Sequence, residues 1–401
     1  SNGSEGAPLN GQSVSETHTL NCLSRNRVDY LEGLTFRDLG NILLVGATGF
    51  LGAHMLKALL EKTSGTIYCL IRPGRLGAEK RFREIMFYYF EETFEELVGS
   101  RIVLIEGDPL SAESLEKVGA YDIQTVINCA ASVKHFASLD SLMQANVELV
   151  DRLIDLCVKK KARLIHTSTT SVAGSVMTLK DGPDALREDQ LDIGQITEDN
   201  GYVHTKFLAE KHVLAAVEER GLDAKIMRLG NLMSRTTDGE FQMNFNTNNF
   251  FRTLWAFAEL ECIPYSILTD EEEFSPINEV AEAIVLLSGT DSRFTVFHPY
   301  NCHHVQLGDI VFAMNREGYP IQAVNDEEFR ARVHAGIADP ETGITLSPLF
   351  MYDTDQDDQV TGVPADNTFT TMALYRLGFH WSMTDMNYLE AAIRNVGEMR
   401  L

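Results

Sequence analysis

The segment Asn41-Ile-Leu-Leu-Val-Gly-Ala-Thr-Gly-Phe-Leu-Gly52 places a short apolar run directly before three glycines with the spacing Gly-x-x-Gly-x-x-Gly. A helix-like stretch follows over residues 51–62. A strand that turns through glycines into a helix lets backbone amides approach a pyrophosphate at the helix N-terminus. We therefore expect a dinucleotide phosphate site at this turn. The residues predicted to form it are Gly46, Thr48, Gly49, Phe50, Leu51 and Gly52.

Apolar strand-like runs alternate with helical periods along the first half of the chain. The predicted strands are residues 41–46, 66–71, 101–106, 125–128, 163–168 and 224–228. The predicted helices are residues 51–62, 78–98, 139–160 and 201–220. This alternation predicts βαβ units with right-handed connections, and so an α/β fold built on a doubly wound parallel sheet of the Rossmann type.

The alternation ends near residue 235, where a smaller and partly helical C-terminal substrate-binding portion is expected to begin. Its predicted elements are helices at residues 250–260, 280–287 and 385–399 and a strand at residues 294–297. The predicted division is a linker or tag at 1–25, a dinucleotide-binding domain at 26–235, and a substrate-binding portion at 236–401 from which a strand or helix returns to the core. Residues 180–200, rich in acidic side chains, are predicted to form a loop.

Composition excludes several classes of protein. The 401 residues carry a net charge of -24, which disfavours nucleic acid because binding phosphates requires clustered Lys and Arg. No apolar run reaches the ~18 residues that would predict a membrane span. The six cysteines form no C-x-x-C pair, which is typical of buried free thiols in the cytoplasm. The chain begins without Met, and we expect a monomeric module of a larger multidomain enzyme.

No metal site is predicted. His298, His303 and His304 lie close together, but neither cysteine nor carboxylate completes a zinc-like spacing. The segment from Asp353 begins like a calcium loop, yet its sixth position is Asp358 rather than glycine.

The end of the second predicted strand indicates which cofactor is bound. An acidic residue usually grips the ribose there in NAD sites, whereas this chain has Arg72 and then Arg75. Guanidinium groups suit a phosphate dianion, so the sequence predicts NADPH. Arg75 could equally lie on a solvated helix face with Arg81. Asp108 after the third strand is expected near the adenine. The small side chains of Ala130 and Ala131 after the fourth strand are expected to lie along the cofactor.

Three residue types at the end of the fifth strand and in the next helix fit carbonyl reduction. Tyr202 and Lys206 are four residues apart and so share one helix face. Hydride addition leaves negative charge on oxygen, to which Tyr202 can donate a proton while Lys206 lowers the phenol pKa. Thr169, preferred over Ser168 and Thr170, supplies a second hydrogen-bond donor. Asn146 either supports Lys206 through a water or binds helix backbone.

Taken together, these motifs resemble the thioester reductase domains of nonribosomal peptide and polyketide synthases and of carboxylic acid and aminoadipate reductases, within the extended short-chain dehydrogenase/reductase superfamily. The resemblance runs from about residue 30 to the end. The later motifs that carry it are Gly201-Tyr202-x-x-x-Lys206-x-x-Ala-Glu210, Arg228-Leu-Gly-Asn231, Ser275-Pro-Ile-Asn278 and Leu377-Gly-Phe-His-Trp381.

The resemblance implies that NADPH reduces a phosphopantetheine-bound acyl or peptidyl thioester to an aldehyde, and that a second round can give the alcohol. It implies the roles above for Thr169, Tyr202 and Lys206, and it places Asn231 with the cofactor-binding residues. The implied partner is a carrier protein. Carrier proteins are typically acidic, so an acidic reductase needs a local basic patch, for which residues 159–163 are a candidate.

Two other functions remain open at the level of sequence. A sugar-nucleotide epimerase or a ketone reductase would share the Thr-Tyr-Lys set, although epimerases usually keep an acidic residue at the position of Arg72. A regulator that senses NADP(H) without chemistry typically loses Tyr202 or Lys206, and both are present here.

Overall fold

The computed structural model describes residues 20–130, 138–177, 182–245, 248–353 and 361–400. Its strands are β1 Ile42–Val45, β2 Ile67–Ile71, β3 Ile102–Glu106, β4 Thr125–Asn128, β5 Arg163–Thr169, β6 Ser175–Val176, β7 Ala224–Leu229, β8 Leu232–Met233, β9 Cys262–Pro264, β10 Glu271–Glu272, β11 Ser275–Pro276, β12 Val296–Phe297, β13 Val305–Gln306, β14 Gln322–Val324 and β15 Thr361–Gly362. Its α-helices are α1 Phe50–Lys62, α2 Ala78–Phe90, α3 Ala112–Gly119, α4 Leu139–Met143, α5 Leu149–Lys160, α6 Gly201–Arg220, α7 Asn249–Leu260, α8 Ile277–Ser288, α9 Leu307–Arg316, α10 Asp326–Ala338, α11 Thr368–Arg376 and α12 Met386–Arg400.

Seven parallel strands form the central sheet in the order β12-β7-β5-β4-β1-β2-β3. The chain fills one half of the sheet outward from β1 and then the other half outward from β4. Val45 at the end of β1 is paired with Leu70 of β2 and with Asn128 of β4. The strand order therefore reverses between β1 and β4, which opens a crevice at their carboxyl ends where ligands bind in this architecture. The predicted Rossmann-type fold is confirmed.

Alternate strand residues enter two apolar layers, as expected for a sheet covered on both faces. Ile42 and Leu44 of β1 pack with α1, α2, α8 and α11. Leu43 and Val45 pack on the other face with α5 and α6. A third apolar cluster joins α7, α9, α10 and α12 and forms the core of the smaller portion.

Three segments beyond residue 235 return to the sheet. The seventh strand β12 is paired with β7, α8 packs against α1, and α11 covers α8. The predicted strand at residues 294–297 is thereby found, shortened to two residues. The division of the chain at residue 235 remains a prediction.

Some predicted elements differ from the structure. The helix predicted over residues 78–98 ends at Phe90, because Glu91 adopts a left-handed conformation with φ 55° and Phe94 does the same. Four helices were not predicted from the sequence: α3, α9, α10 and α11. The loop predicted at 180–200 contains no helix over its described residues, which begin at 182. Isolated β-bridges occur there at Leu186 and Ile196.

The first described residues are already part of the folded core. Leu23 lies in a short 3₁₀ turn and is buried in the layer with α5 and α6. The rest of the predicted linker, residues 1–19, lies outside the described residues. All six cysteines are free. None of the helices in the described part of the chain has the length and apolar character that crossing a membrane would require.

Candidate active site

In the glycine turn between β1 and α1, packing excludes a side chain at Gly46 and Gly52 but not at Gly49. A Cβ on Gly46, where φ is 89°, would lie 2.8 Å from the backbone nitrogen of Ala130. A Cβ on Gly52 would lie 1.8 Å from the carbonyl oxygen of Gly46. A Cβ on Gly49 would meet only that same oxygen at 3.5 Å, an ordinary contact. The fold thus tolerates a side chain at Gly49, whose bare backbone leaves room for a ligand.

A cavity of about 490 Å³ lies at the carboxyl ends of β1, β2 and β4, in front of this turn. Five of the predicted cofactor residues line it: Gly46, Thr48, Gly49, Arg72 and Ala130. Gly49 is the N-cap of α1 and its neighbours provide no side-chain cap, so the first-turn amides of α1 are suited to an anion. Ala131 lies outside the described residues.

Two arginines contribute positive charge to the lining of the cavity. Arg72 and Arg81 both line it, and the Arg81 Nη1 donates to the Arg72 carbonyl oxygen at 3.2 Å. Arg75 is exposed and is not among the lining residues. Of the two arginines named from the sequence, Arg72 lines the cavity and Arg75 does not, whereas Arg81, which was weighed only as part of a solvated helix face, also lines it. The helical position of Arg81, one turn inside α2, was the signal that could have identified it.

Asp108 contacts Arg72 rather than lining the cavity. Its Oδ1 lies 3.5 Å from the Arg72 Nη2 and accepts a hydrogen bond from the backbone of Leu110 at 2.9 Å. Pro109 and Leu110, which follow it, line the cavity instead. The predicted contact between Asp108 and the adenine stays a prediction.

Phe50 and Leu51 can offer only their backbone to a cofactor. The Leu51 side chain is buried in the core, and the Phe50 ring packs against His54, Tyr89 and Phe241. Their predicted role is therefore limited to backbone amides in the first turn of α1.

Two predicted cofactor residues are held by neighbouring side chains. The backbone nitrogen of Asn231 donates to the Glu273 carboxylate at 3.0 Å, and its side-chain amide donates to the Glu273 carbonyl oxygen. Asn146 lies in a π-helical turn, Gln144–Glu148, and its side chain donates to the Thr205 Oγ1 at 3.1 Å. This side-chain contact is neither of the two arrangements expected for Asn146. Single π turns are frequent at functional sites.

Helix α6 positions Tyr202 and Lys206. The Asn200 side chain caps it by accepting from the Val203 nitrogen, and Gly221 ends it in the left-handed conformation. The Lys206 Nζ is buried and donates to the Thr167 carbonyl oxygen at 2.7 Å. Burial lowers the pKa of Lys206 to about 8, a shift that the nearby Glu210 carboxylate opposes.

The expected effect of Lys206 on Tyr202 is not seen. Burial raises the pKa of Tyr202 to about 12, where the sequence argument expected Lys206 to lower it. The Lys206 ammonium is directed at the carbonyl of Thr167, and desolvation of the phenol dominates.

The hydroxyls at the end of β5 are distinguished by their hydrogen bonds. The Ser168 Oγ donates to the Glu210 Oε2 at 2.6 Å, so its proton is already committed. The Thr169 Oγ1 accepts from the Ser171 nitrogen at 3.1 Å, so its own proton can be donated elsewhere. Since successive side chains of a strand face opposite ways, this geometry favours Thr169 over Ser168 as the donor.

Two members of the basic patch expected at residues 159–163 are held by other groups, whereas Lys159 and Lys161 are exposed, and the patch stays a prediction. Arg163 is buried, lies 2.9 Å from Asp223 and donates to two backbone carbonyls. The Lys160 Nζ donates to the Tyr121 carbonyl oxygen. The segment also lies at the amino end of β5, roughly 20 Å along the strand from Thr169 at ~3.3 Å per residue.

Over the described residues, no group of three or more His, Cys, Asp or Glu could hold a metal ion.

The chain is an oxidoreductase of the extended short-chain dehydrogenase/reductase superfamily. The features typical of this class are the doubly wound sheet, the glycine turn before a cavity and the Thr-Tyr-Lys set at the sheet edge. A family model of NAD-binding domains, described as "Male sterility protein", matches residues 44–284. The chain belongs to this family.

Curated relatives are much longer than this chain. It is 27% identical over 353 residues to an isonitrile lipopeptide synthase of Streptomyces coeruleorubidus, covering 82% of this chain and 22% of the relative. It is 25% identical over 343 residues to a carboxylic acid reductase of Mycobacterium tuberculosis, covering 75% of this chain and 28% of the relative. The chain thus spans less than a third of the length of either protein.

Solved structures of reductase domains match nearly the whole chain. A thiolation-reductase di-domain from an archaeal nonribosomal peptide synthetase superposes with a TM-score of 0.87 at 34% identity, covering 96% of this chain and 80% of that one. The reductase domain of the aureusimine biosynthetic cluster superposes with a TM-score of 0.77 at 27% identity, covering 92% and 93%. The resemblance to reductase domains that the sequence indicated is confirmed.

Proposed function

We propose that this chain uses NADPH to reduce a phosphopantetheine-bound acyl or peptidyl thioester, presented by a carrier protein, to an aldehyde. The observation that carries the proposal is the position of Thr169, Tyr202 and Lys206 on adjoining elements, β5 and α6, in a chain that matches reductase domains over nearly its whole length. The carrier protein enters by analogy with the thiolation domain joined to the archaeal reductase domain.

The cavity fits a phosphorylated dinucleotide. Gly49 leaves space that a Cβ would fill, and the first turn of α1 presents backbone amides to the pyrophosphate. Arg72 and Arg81 would hold the additional phosphate, for which guanidinium groups are well suited. This pair is the reason for proposing NADPH over NADH. When bound, the cofactor supplies a hydride.

The chain's own residues stabilise the charge that reduction creates. Thr169 donates a hydrogen bond to the thioester carbonyl oxygen, and Tyr202 donates a second bond and then its proton. Lys206, charged below its pKa of about 8, adds a positive charge one helical turn from Tyr202 that offsets part of the cost of forming the phenolate, while desolvation keeps the phenol pKa raised. Loss of the thiol from the reduced carbon then gives the aldehyde and the free carrier thiol. A second reduction of that aldehyde would give the alcohol.

We further propose a monomeric module that works in the cytoplasm within a multidomain enzyme. Two relatives support the multidomain setting, because the matching segment is a minor part of a long synthase in one and of a long reductase in the other.

The test is NADPH oxidation, followed by absorbance, with an acyl-pantetheine thioester and separately with the matching aldehyde. Tyr202→Phe should abolish turnover, whereas Tyr265→Phe, which alters an exposed tyrosine, should leave turnover unchanged. Turnover of the aldehyde as well would establish four-electron release. Activity on a ketone or a sugar nucleotide, with none on any thioester, would refute the proposal and favour the alternative reductase or epimerase.

A further inference from the structure

A fully buried ion pair lies directly beneath the catalytic residues. The Arg228 Nη2 is 2.9 Å from the Glu210 Oε1, and both side chains are 0% exposed. Burying two charges costs several kcal/mol per ion unless close geometry and further hydrogen bonds offset the loss of water. Such a pair is poor evidence for stability by itself, so its placement calls for another explanation.

Glu210 connects to both elements of the proposed catalytic set. Its Oε2 accepts the Ser168 hydroxyl at 2.6 Å, one residue before Thr169. It also stands one helical turn after Lys206 on α6, so the two side chains lie on the same face. The carboxylate therefore acts on the hydroxyl end of β5 and on the ammonium of α6 together.

Arg228 connects the same point to the segment that leads into the catalytic helix. Its Nη1 donates to the Arg187 carbonyl oxygen at 3.3 Å and contacts the His298 Nε2 at 3.1 Å. Its Nη2 donates to the Gln190 carbonyl oxygen at 2.8 Å. Residues 187 and 190 belong to the loop that ends at the start of α6. One guanidinium, carried by β7, therefore binds both this loop and Glu210 and fixes their relative positions.

The network extends to a late part of the chain. The His298 Nδ1 contacts the Asp366 carbonyl oxygen at 2.6 Å. The Glu188 carboxylate, in the same loop, accepts from the backbone and the hydroxyl of Thr370 in α11. The position of Glu210 is thus fixed by several elements rather than by α6 alone.

We propose that Glu210 and Arg228 are positioning residues for carbonyl reduction. Glu210 accepts the Ser168 hydroxyl, so that Thr169 is the donor, and places a negative charge one turn from Lys206; Arg228 holds the Glu210 carboxylate in that position. The inference rests on the proposed reductase function for its chemical meaning, although its effect on Lys206 does not depend on turnover.

Other groups also act on Lys206. The Cys129 thiol, after β4, is uncharged where Lys206 titrates, because burial raises its pKa to about 12. His166 of β5 lies near enough for Lys206 to lower the pKa of that imidazole. Tyr202 is one turn earlier on α6. The Glu210 carboxylate is the group that most strongly opposes the lowering of the Lys206 pKa by burial. Removing the Glu210 charge should therefore have a larger effect on the Lys206 pKa than changing any of these other groups.

The experiment is an NMR titration of the protein labelled with ¹³Cε-lysine, with the Lys206 signal assigned through Lys206→Arg. Glu210→Gln keeps the size of the side chain but removes its charge. It should lower the pKa of Lys206 by roughly one unit. Asp223→Asn is the matched control, since it removes the carboxylate partner of another buried arginine, Arg163, at the far end of β5. That control should leave the Lys206 signal unchanged.

Activity supplies the second readout. The alkaline limb of the kcat–pH profile should move to lower pH by the same amount in Glu210→Gln and not in Asp223→Asn. An unchanged Lys206 pKa in folded Glu210→Gln, or an equal shift in the control, would overturn the inference. A shifted pKa in a protein that reduces no thioester would sink the proposed function and support the positioning of Lys206. If Glu210→Gln does not fold, the double replacement Glu210→Met with Arg228→Met tests the same fall in pKa, because apolar substitution of a whole buried pair is often tolerated.

Discussion

Gly49 and Gly52 are three residues apart in the same turn, yet alanine at each should act on a different property. A Cβ at Gly52 would lie 1.8 Å from the Gly46 carbonyl oxygen, a backbone atom that cannot move aside alone. A Cβ at Gly49 would lie 3.5 Å from that oxygen, which is an ordinary contact. We expect Gly52→Ala to reduce stability and Gly49→Ala to reduce cofactor binding.

The size of each effect follows from these contacts. Overpacking against backbone costs ~1–3 kcal/mol or more, from which the ~1 kcal/mol gain of alanine over glycine inside a helix must be subtracted. Gly52→Ala should therefore lose up to about 2 kcal/mol of unfolding free energy, towards the upper end because the contact is with backbone. Gly49→Ala should lose about 1 kcal/mol or less, since Gly49 has an extended backbone at the N-cap and alanine is only a poorer cap. Its Kd for NADPH should rise at least about tenfold, ~1.4 kcal/mol, because the Cβ would occupy the approach to the pyrophosphate.

The assays are urea unfolding for stability and calorimetric titration for NADPH binding, both run on the two variants and on the unaltered chain. Normal NADPH affinity in Gly49→Ala would show that no phosphate approaches this turn, and it would refute the assignment of the cavity. Undiminished stability in Gly52→Ala would show that the turn can relax, against the packing argument.

Three further predictions rest on separate features. Arg72→Ser should raise the Kd for NADPH about tenfold and leave that for NADH unchanged, since a hydrogen bond to a charged group is worth ~1.5–3 kcal/mol, whereas Arg75→Ser should alter neither in the same titration. Burial lowers the pKa of Lys206 from 10.5 to about 8, so between these pH values the unfolded chain binds more protons than the folded chain. The free energy of unfolding should therefore rise with pH in this range. Urea unfolding across pH 7.5 to 10.5 should show this rise in the unaltered chain and a smaller one in Lys206→Met. Phe241→Ala, which empties a fully buried site packed on Phe50, should cost ~3–5 kcal/mol in the same unfolding assay.

The sequence predicted the elements whose ends carry chemical signals. Helix α6 begins at Gly201 and ends at Arg220 as predicted, because an asparagine caps its start and Gly221 takes the left-handed conformation at its end. Strand β4 was also found at its predicted residues. Helix α10 had equivalent signals that were overlooked, since the Asn325 side chain caps it and three acidic residues occupy its first turn.

The features that the sequence could not predict depend on where side chains point in the folded chain. Spacing along the chain placed Arg75 closer to the second strand, but Gly77, with φ 89°, starts α2 so that Arg81 lines the cavity. The same limit applies to Tyr202, because its burial depends on elements distant in sequence. The choice of Thr169 over Ser168 became clear only when Glu210 was seen to accept the Ser168 proton.

The return of β12, α8 and α11 to the sheet has a consequence for the chain as it leaves the ribosome. Until residues near 297 have emerged, the apolar face of α1 lacks the cover of α8, and β7 is an open edge strand. Unpaired edges and exposed apolar surface favour association with other chains. The nucleotide-binding half is therefore expected to close only after α8 and β12 have been synthesised, and to need chaperone protection during that interval.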